Sequence, residues 1–234
     1  MPGWISEQSL VARAVRLVRG TAGDDKGVEI EIEKRIPLLS GLGGDSSDAA
    51  ATLRGLNQFW ELGLAQRELV ALARRLGSDV AFFLYGGTAL VGGKGETITP
   101  LPASPHSWVV LTVPPVARLP GKTAQLYGRL KTSDYSGGQI TQRLIAAMKA
   151  GKGVEPSLFF NVFDRIAPAK FAGLSEYREQ MISLGAADVH LAGSGPALFT
   201  LVGDKAQAKE LYQRLRQGGL EAYFTETLAE IENI

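Results

Sequence analysis

Residues 37–53 read Pro-Leu-Leu-Ser-Gly-Leu-Gly-Gly-Asp-Ser-Ser-Asp-Ala-Ala-Ala-Thr-Leu, and no other stretch limits the fold as strongly. Gly41, Gly43 and Gly44 crowd together, with Ser46, Ser47 and Asp48 directly behind them. Glycine has no Cβ, so its amides approach a ligand closely and its φ reaches positive values. Ala49, Leu53, Leu56 and Trp60 recur at helical spacing and predict a helix with one apolar face. Ser46 or Ser47 is the expected N-cap, with Asp48 in the first turn. Ahead of the loop, residues 28–33 alternate apolar and acidic, which predicts a strand with one buried face. Strand, glycine loop and helix start together make an anion site suited to phosphate. A turn that merely joins strand to helix is the plainer alternative.

The loop is not a Walker loop, which ends Gly-Lys-Ser/Thr, since no lysine lies between Gly41 and Leu53. Nor does Gly-Leu-Gly-Gly-Asp-Ser fit the dinucleotide pattern G-x-G-x-x-G. With 234 residues the chain is long enough for one large domain or two small ones. A net charge of +1 gives no general attraction to nucleic acid or to an anionic membrane surface. The absence of cysteine excludes disulfides, thiolate metal sites and cysteine nucleophiles. His106 and His190 are too few for a histidine-rich metal site. No apolar run reaches membrane-spanning length, and the first residues lack the basic and apolar regions of a secretory signal. The expectation is a soluble, cytoplasmic protein, monomeric or homodimeric, whose partners are small molecules.

Periodicity and punctuation predict a first helix from Ser6 to about Arg19, ended by Gly20. Further helices are predicted at 65–76, ended by Gly77, and near 123–131, 139–150, 159–167 and 174–184. Val80–Tyr85 reads as a short apolar strand. Residues 88–91 and 96–99 read as a hairpin around Gly92-Gly93-Lys94-Gly95. Pro100, Pro102 and Pro105 break the composition, which suggests domains at 1–106 and 107–234. In the second, strand 108–113 precedes strands 188–192 and 197–202, helix 204–217 and strand 220–226. That order resembles the split β-α-β-β-α-β arrangement.

Three further segments carry candidate chemistry. Asp79 lies at the junction after Gly77 and Ser78, where aspartate commonly caps a helix or forms an Asx-turn. Near a phosphate loop, the same carboxylate could accept a proton from a hydroxyl nucleophile. Gly193-Ser194-Gly195 is a second glycine loop, either a tight β-connection or an amide cradle for an anion. Tyr127 is either a ring packed in the core or a platform for a planar base.

These motifs together resemble the GHMP kinases (galactose, homoserine, mevalonate and phosphomevalonate kinases). Pro37-x-x-Ser40-Gly-Leu-Gly-Gly-x-Ser-Ser-Asp-Ala-Ala resembles their second motif, and the Gly193-Ser194-Gly195 segment resembles their third. Within the family the chain looks most like the 4-diphosphocytidyl-2-C-methyl-D-erythritol kinases, from about residue 5 to its end. The resemblance implies an α+β fold: an N-terminal domain like ribosomal protein S5 domain 2, and a ferredoxin-like C-terminal domain. It implies ATP and Mg²⁺, with ATP phosphates bound by Ser40, Gly41, Leu42, Gly43, Gly44, Asp45, Ser46, Ser47, Gly193, Ser194 and Gly195. Ser46 or Ser47 would assist the metal, with Ser46 the leading candidate.

Gly-x-Asp-Val-x-Phe resembles the family segment carrying the catalytic aspartate, which places Asp79 in that role and beside the substrate. Lys122-Thr123-Ala124-x-x-Tyr127 resembles a substrate-cleft segment whose aromatic would contact cytosine, here Tyr127. Asn161-Val162-Phe163-Asp164 resembles another C-terminal segment, where capping is the expected task of Asn161. The expected reaction is phosphorylation of the substrate's 2-hydroxyl. A homoserine- or phosphomevalonate-type kinase and a non-catalytic nucleotide-binding protein are the alternatives.

Two departures from the family pattern follow. Asp45 stands where a third consecutive glycine is usual, an acidic group beside phosphate that must face solvent or help hold a metal. The family's opening strand, with its lysine, and the following Tyr-His turn have no counterpart here, so the N-terminal domain is expected to be truncated. A transfer site lacking that lysine would lose charge stabilisation.

Overall fold

A computed structural model describes residues 7–22, 27–116, 121–152 and 156–229 of the chain. Contacts divide it into two units. One comprises the chain up to Arg35 with Gly43–Leu101, and the other Ile36–Leu42 with Pro102–Ala229. The glycine loop therefore contributes its first half to one unit and its second half to the other.

The first unit is built on three amphipathic helices, α1 (Leu10–Ala22), α2 (Gly44–Phe59) and α3 (Gln66–Leu76). From α2, Ala49, Leu53 and Leu56 are buried, and Trp60 joins them just beyond its end. They pack with Ala14 and Val18 of α1 and Leu69, Leu72, Ala73 and Leu76 of α3. These are the positions that helical spacing predicts. Burying the apolar stripes is the main favourable term in holding the helices together.

Two boundaries of α1 differ from expectation. The helix starts at Leu10, where the Ser9 hydroxyl accepts from the Ala12 amide at 3.1 Å; the expected start, Ser6, lies outside the described residues. Gly20 does not stop the helix, which runs on to Ala22. A glycine ends a helix by turning left-handed, and Gly20 keeps a negative φ.

The start of α2 also departs from expectation. Its N-cap is Gly43, at φ 72° and ψ 16°, and the first turn carries Asp45. Ser46 and Ser47 lie inside the helix, and the Ser47 hydroxyl donates to the Gly44 carbonyl at 2.7 Å. The left-handed turn at Gly43 brings the chain into the helix earlier than a serine cap would allow.

Residues 28–33 keep the predicted alternation, with Val28, Ile30 and Ile32 partly buried and Glu29, Glu31 and Glu33 exposed. They form no strand: among the described residues nothing pairs with them in a ladder. Alternation specifies which face is covered, whereas a strand needs a hydrogen-bonded neighbour. The segment lies along α2 and walls a groove of about 480 Å³ with Asp48, Thr52 and Phe59.

Val80–Tyr85 is not a strand either. It forms a turn followed by the single-turn helix α4 (Phe82–Tyr85), ended by Gly86 at φ 67°. Leu84 is buried, and α4 closes the core made by α1–α3. A short apolar run does not distinguish strand from buried helix. The hairpin forms as β1 (Ala89–Gly92) and β2 (Thr97–Pro100), with Ala89 opposite Pro100 and Gly92 opposite Thr97.

In the second unit, four strands form one antiparallel sheet, ordered β4-β5-β3-β6. These are β3 (Trp108–Thr112), β4 (His190–Leu191), β5 (Leu198–Val202) and β6 (Ala222–Glu226). With β3 counted first, this is the ferredoxin-like order, with its last strand beside the first. The helices are α5 (Lys122–Tyr127), α6 (Gln139–Lys149), α7 (Ala167–Lys170), α8 (Leu174–Ser183) and α9 (Lys205–Gln217). Val110, Leu191 and Leu198 from the sheet meet Leu174 and Met181 of α8 and Leu211 and Leu215 of α9 in one core.

The helix expected at 159–167 is broken. Asn161 is extended at φ −124°, and its side chain accepts from the Phe163 amide, starting a 3₁₀ turn at Val162–Arg165. The α-helix α7 begins only beyond that turn, with proline in its opening positions. Proline fits at a helix start, where no amide partner is needed.

Leu53→Ala is expected to destabilise the protein by about 2–5 kcal/mol through the cavity it leaves. The measurement is the urea unfolding midpoint. Ile182→Ala, at a side chain 48% exposed, serves as control and should shift it little.

Candidate active site

Two glycine turns meet within the second unit. The Ser40 carbonyl accepts from the Ala197 amide at 2.9 Å, and Ser40 is buried. Gly41 follows at φ 90°; a Cβ there would stand 2.4 Å from the Ala192 carbonyl oxygen and 2.9 Å from the Gly195 nitrogen. Only glycine permits that approach. The structure thus brings Ser40 and Gly41 against the Gly193-Ser194-Gly195 turn, which the sequence places about 150 residues away.

The second turn is held from three sides. Its own Gly195 amide donates to the Ala192 carbonyl at 2.8 Å. The Asn161 amide group donates to the carbonyls of Leu191 at 3.0 Å and Gly193 at 2.8 Å. The Thr123 and Ser194 hydroxyls share a hydrogen bond of 2.9 Å. Beneath the turn, the buried Lys122 ammonium donates to the Gly195 carbonyl and lies 5.8 Å from the Phe171 ring centroid. Burial pushes Lys122 down to about 8. Asn161 is therefore a cap, as expected, and also a clamp on the glycine turn.

In the first unit the loop's other half opens α2. The amides of Gly44, Asp45 and Ser46 have no intrahelical acceptor, because the first return bond runs from Ser47 to the Gly43 carbonyl at 2.9 Å. No side chain caps them. These amides, together with the helix dipole, favour a bound anion. Gly43 is packed from below: a Cβ there would meet the Phe83 ring at 2.8 Å.

The expected conflict between Asp45 and an anion is met by a residue that the motif analysis passed over. The Lys34 ammonium pairs with Asp45 and Asp48, each at 2.5 Å. Desolvation lowers the Lys34 pKa, but the hydrogen bonds and charges of both aspartates outweigh it and raise it overall. The carboxylate at the helix start is thus neutralised locally. Lys34 lies outside any motif, and the signal that could have found it was the need of Asp45 for a cation.

Asp79 is exposed, in the turn between α3 and α4. Its carboxylate makes no cap for α4 and has no partner among the described residues. The capping role open at this position is not the one it plays. Phe83, which underlies Gly43, follows Asp79 by four residues, so the two candidate segments belong to one unit. The hairpin also touches this turn: a Cβ on Gly95 would stand 2.4 Å from the Ser78 carbonyl oxygen.

Tyr127 is 56% exposed and packs edge-on against Phe163 at 5.0 Å between centroids. A separate cleft of about 330 Å³ in the same unit is lined by Phe159, Phe160, Asn161, Asp164, His190 and Gly193 among others. The His190 ring lies between Phe159 and Phe199. Burial holds the His190 pKa below its usual value, against the pull of Asp188 and Asp164. Among the described residues no cluster of His, Cys, Asp or Glu is suited to hold a metal, and no helix is long and apolar enough to cross a membrane.

The lowered pKa of Lys122 gives a signed expectation. Between about 8 and the ordinary 10.5 the unfolded chain holds a proton that the native chain has lost. Stability relative to Lys122→Met should therefore rise as pH climbs through that window and level off above it. Urea midpoints of both proteins across this range provide the measurement, and a flat difference would contradict the assignment.

Comparison with known proteins bears on the whole chain. The family model described as "GHMP kinases N terminal domain" matches residues 9–87, and that described as "GHMP kinases C terminal" matches residues 145–220. A 4-diphosphocytidyl-2-C-methyl-D-erythritol kinase of Dehalococcoides mccartyi (strain ATCC BAA-2266 / KCTC 15142 / 195) is 47% identical over 99% of this chain and 81% of its own length. A protein of the same name from Geobacillus sp. (strain WCH70) is 39% identical over 89% of this chain and 71% of its own. The crystal structure of a 4-(cytidine 5'-diphospho)-2C-methyl-D-erythritol kinase aligns with a TM-score of 0.79 at 33% identity, covering 96% of this chain and 80% of that one. Homoserine kinase from Cytophaga hutchinsonii shares the fold, with a TM-score of 0.77 at 20% identity over 97% of this chain and 78% of its own. From its glycine loops to its ferredoxin-like half, this chain belongs to the GHMP kinase family.

Proposed function

We propose that the protein transfers the γ-phosphoryl group of ATP to the 2-hydroxyl of 4-diphosphocytidyl-2-C-methyl-D-erythritol, giving the 2-phosphate and ADP, in the bacterial cytoplasm. The observation that carries this reading is the start of α2, where a left-handed Gly43 leaves the amides of Gly44, Asp45 and Ser46 free for phosphate oxygens. The names of the relatives at 47% and 39% identity select the acceptor. Family membership implies ATP as donor.

In this reading the residues that bind ATP phosphates are Ser40, Gly41, Leu42, Gly43, Gly44, Asp45, Ser46 and Ser47, through their backbone, and Gly193, Ser194 and Gly195. Phosphoryl transfer relies on positioning and on charge stabilisation more than on covalent chemistry. The family's Mg²⁺ would neutralise phosphate charge, and such an ion commonly takes few protein ligands. Ser46 fits the role: its hydroxyl has no partner among the described residues, whereas the Ser47 hydroxyl is engaged by the Gly44 carbonyl. Asp45 and Asp48 are held by Lys34 and are not needed as ligands.

Asp79 is the base that takes the proton of the acceptor hydroxyl. Its carboxylate is exposed and unengaged, as a base awaiting substrate must be. Tyr127 offers an exposed ring for the cytosine, and the aromatic cleft around Phe159, Phe160 and His190 is a second candidate for the same base. The region to residue 106 would bind nucleotide, and residues 107–234 would frame the substrate.

Asp79→Asn is expected to abolish turnover while leaving ATP affinity nearly unchanged. Full turnover by that variant would remove Asp79 from the role. In parallel, CDP or CMP should compete with the acceptor. A lack of competition, together with phosphorylation of homoserine or phosphomevalonate, would transfer the assignment to another branch of the family.

A further inference from the structure

Lys122 carries a buried charge that neither the fold nor the reaction described above accounts for. The residue is 4% exposed, at the start of α5. Its ammonium has one acceptor, the Gly195 carbonyl, and a ring face at 5.8 Å. No carboxylate pairs with it among the described residues, and burial is the one influence on its proton affinity. A buried, unpaired ammonium is costly, and natural structures place one only where something offsets the cost.

The surroundings indicate what could offset it. Lys122 lies against the Gly193-Ser194-Gly195 turn, with its ammonium on the Gly195 carbonyl. In that turn the Gly195 amide is engaged by the Ala192 carbonyl, but nothing accepts from the Gly193 and Ser194 amides among the described residues. Successive free amides in a glycine turn form a concavity for an anion. The same turn abuts Ser40 and Gly41. The Lys122 cation and the free amides of Gly193 and Ser194 on one turn together make an electropositive site.

We propose that Lys122 is a positioning residue for a di- or triphosphate: its ammonium fixes the Gly195 carbonyl, orients the turn, and lends positive charge to the ligand's phosphate oxygens. This rests on the kinase reading for the identity of the ligand, though not for the existence of the pocket. Sequence inspection notes Lys122 only as the first residue of the segment that carries Tyr127. Its burial beneath the glycine turn is a tertiary fact.

The test uses inorganic pyrophosphate, titrated calorimetrically into the full chain at neutral pH without divalent metal. The wild-type protein should bind it, and Lys122→Met should bind about tenfold more weakly or worse, since the turn loses its anchor and the anion loses a nearby positive charge in a medium of reduced dielectric. In turnover the same variant should raise KM for ATP more than it lowers kcat, which a merely structural loss would not do. Should Lys122→Met fail to fold, the chain's lack of cysteine supplies a second route. Lys122→Cys, alkylated with 2-bromoethylamine while denatured and then refolded, regains an ammonium and should regain affinity that the unalkylated protein lacks. Equal pyrophosphate affinity with and without the ammonium, or no binding by the wild type, would overturn the proposal. Lys122-dependent pyrophosphate binding in a protein that phosphorylates no alcohol would leave this inference standing and remove the kinase assignment. The converse result would do the opposite.

Discussion

The Ser40 carbonyl accepts from the Ala197 amide, and beside it Gly41 passes so close to Ala192 that no side chain fits between them. Much of the candidate site depends on that approach. It joins two turns that lie far apart in sequence, and it does so through backbone alone. Hydrogen bonds from Asn161, a hydroxyl pair between Thr123 and Ser194, and the Lys122 ammonium then fix the second turn in place. All of these contacts are polar, and all but the one from Asn161 to the Gly193 carbonyl are partly or fully buried, where an unmade bond costs more than a made one gains. The turn is therefore specified tightly for a segment with so little side chain.

Two lysines treat charge in opposite ways. Lys34 is part-exposed and satisfied by Asp45 and Asp48, so it removes negative charge from the start of α2. Lys122 is buried and has no carboxylate among the described residues, so its charge remains available. The first arrangement accommodates an acidic residue at a helix start that otherwise favours an anion. The second adds positive potential where no acid among the described residues absorbs it. Both act over a short range in a medium of reduced dielectric, and both favour an anion in their own unit.

Much of the architecture was legible from spacing alone. The buried faces of α2 and α3, the hairpin and the order of strands in the second unit follow from apolar period and turn residues. The errors have specific causes. Gly20 was expected to end α1, but a glycine is a stop only in a left-handed conformation, which neighbours decide. Residues 28–33 carry the pattern of a strand without a partner to pair with among the described residues. Val80–Tyr85 is apolar for burial in a helical core and not for a sheet. The segment around Asn161 reads as helix, yet its side chain is drawn to the Leu191 and Gly193 carbonyls, and this holds its backbone extended.

By itself the sequence determined that a glycine-rich turn precedes a helix and that the chain is α+β, and it singled out Asp79 and the Gly193–Gly195 turn as candidates. These are local matters, set by conformational freedom at glycine and by the period of apolar side chains. Only the tertiary structure decided that Gly43 rather than a serine caps α2, that Lys34 neutralises Asp45, and that Lys122 lies buried beneath Gly195. The physical reason is common to all three. Charge pairing, desolvation and close backbone approach depend on distances between residues that are remote in the chain, and no local pattern encodes those distances.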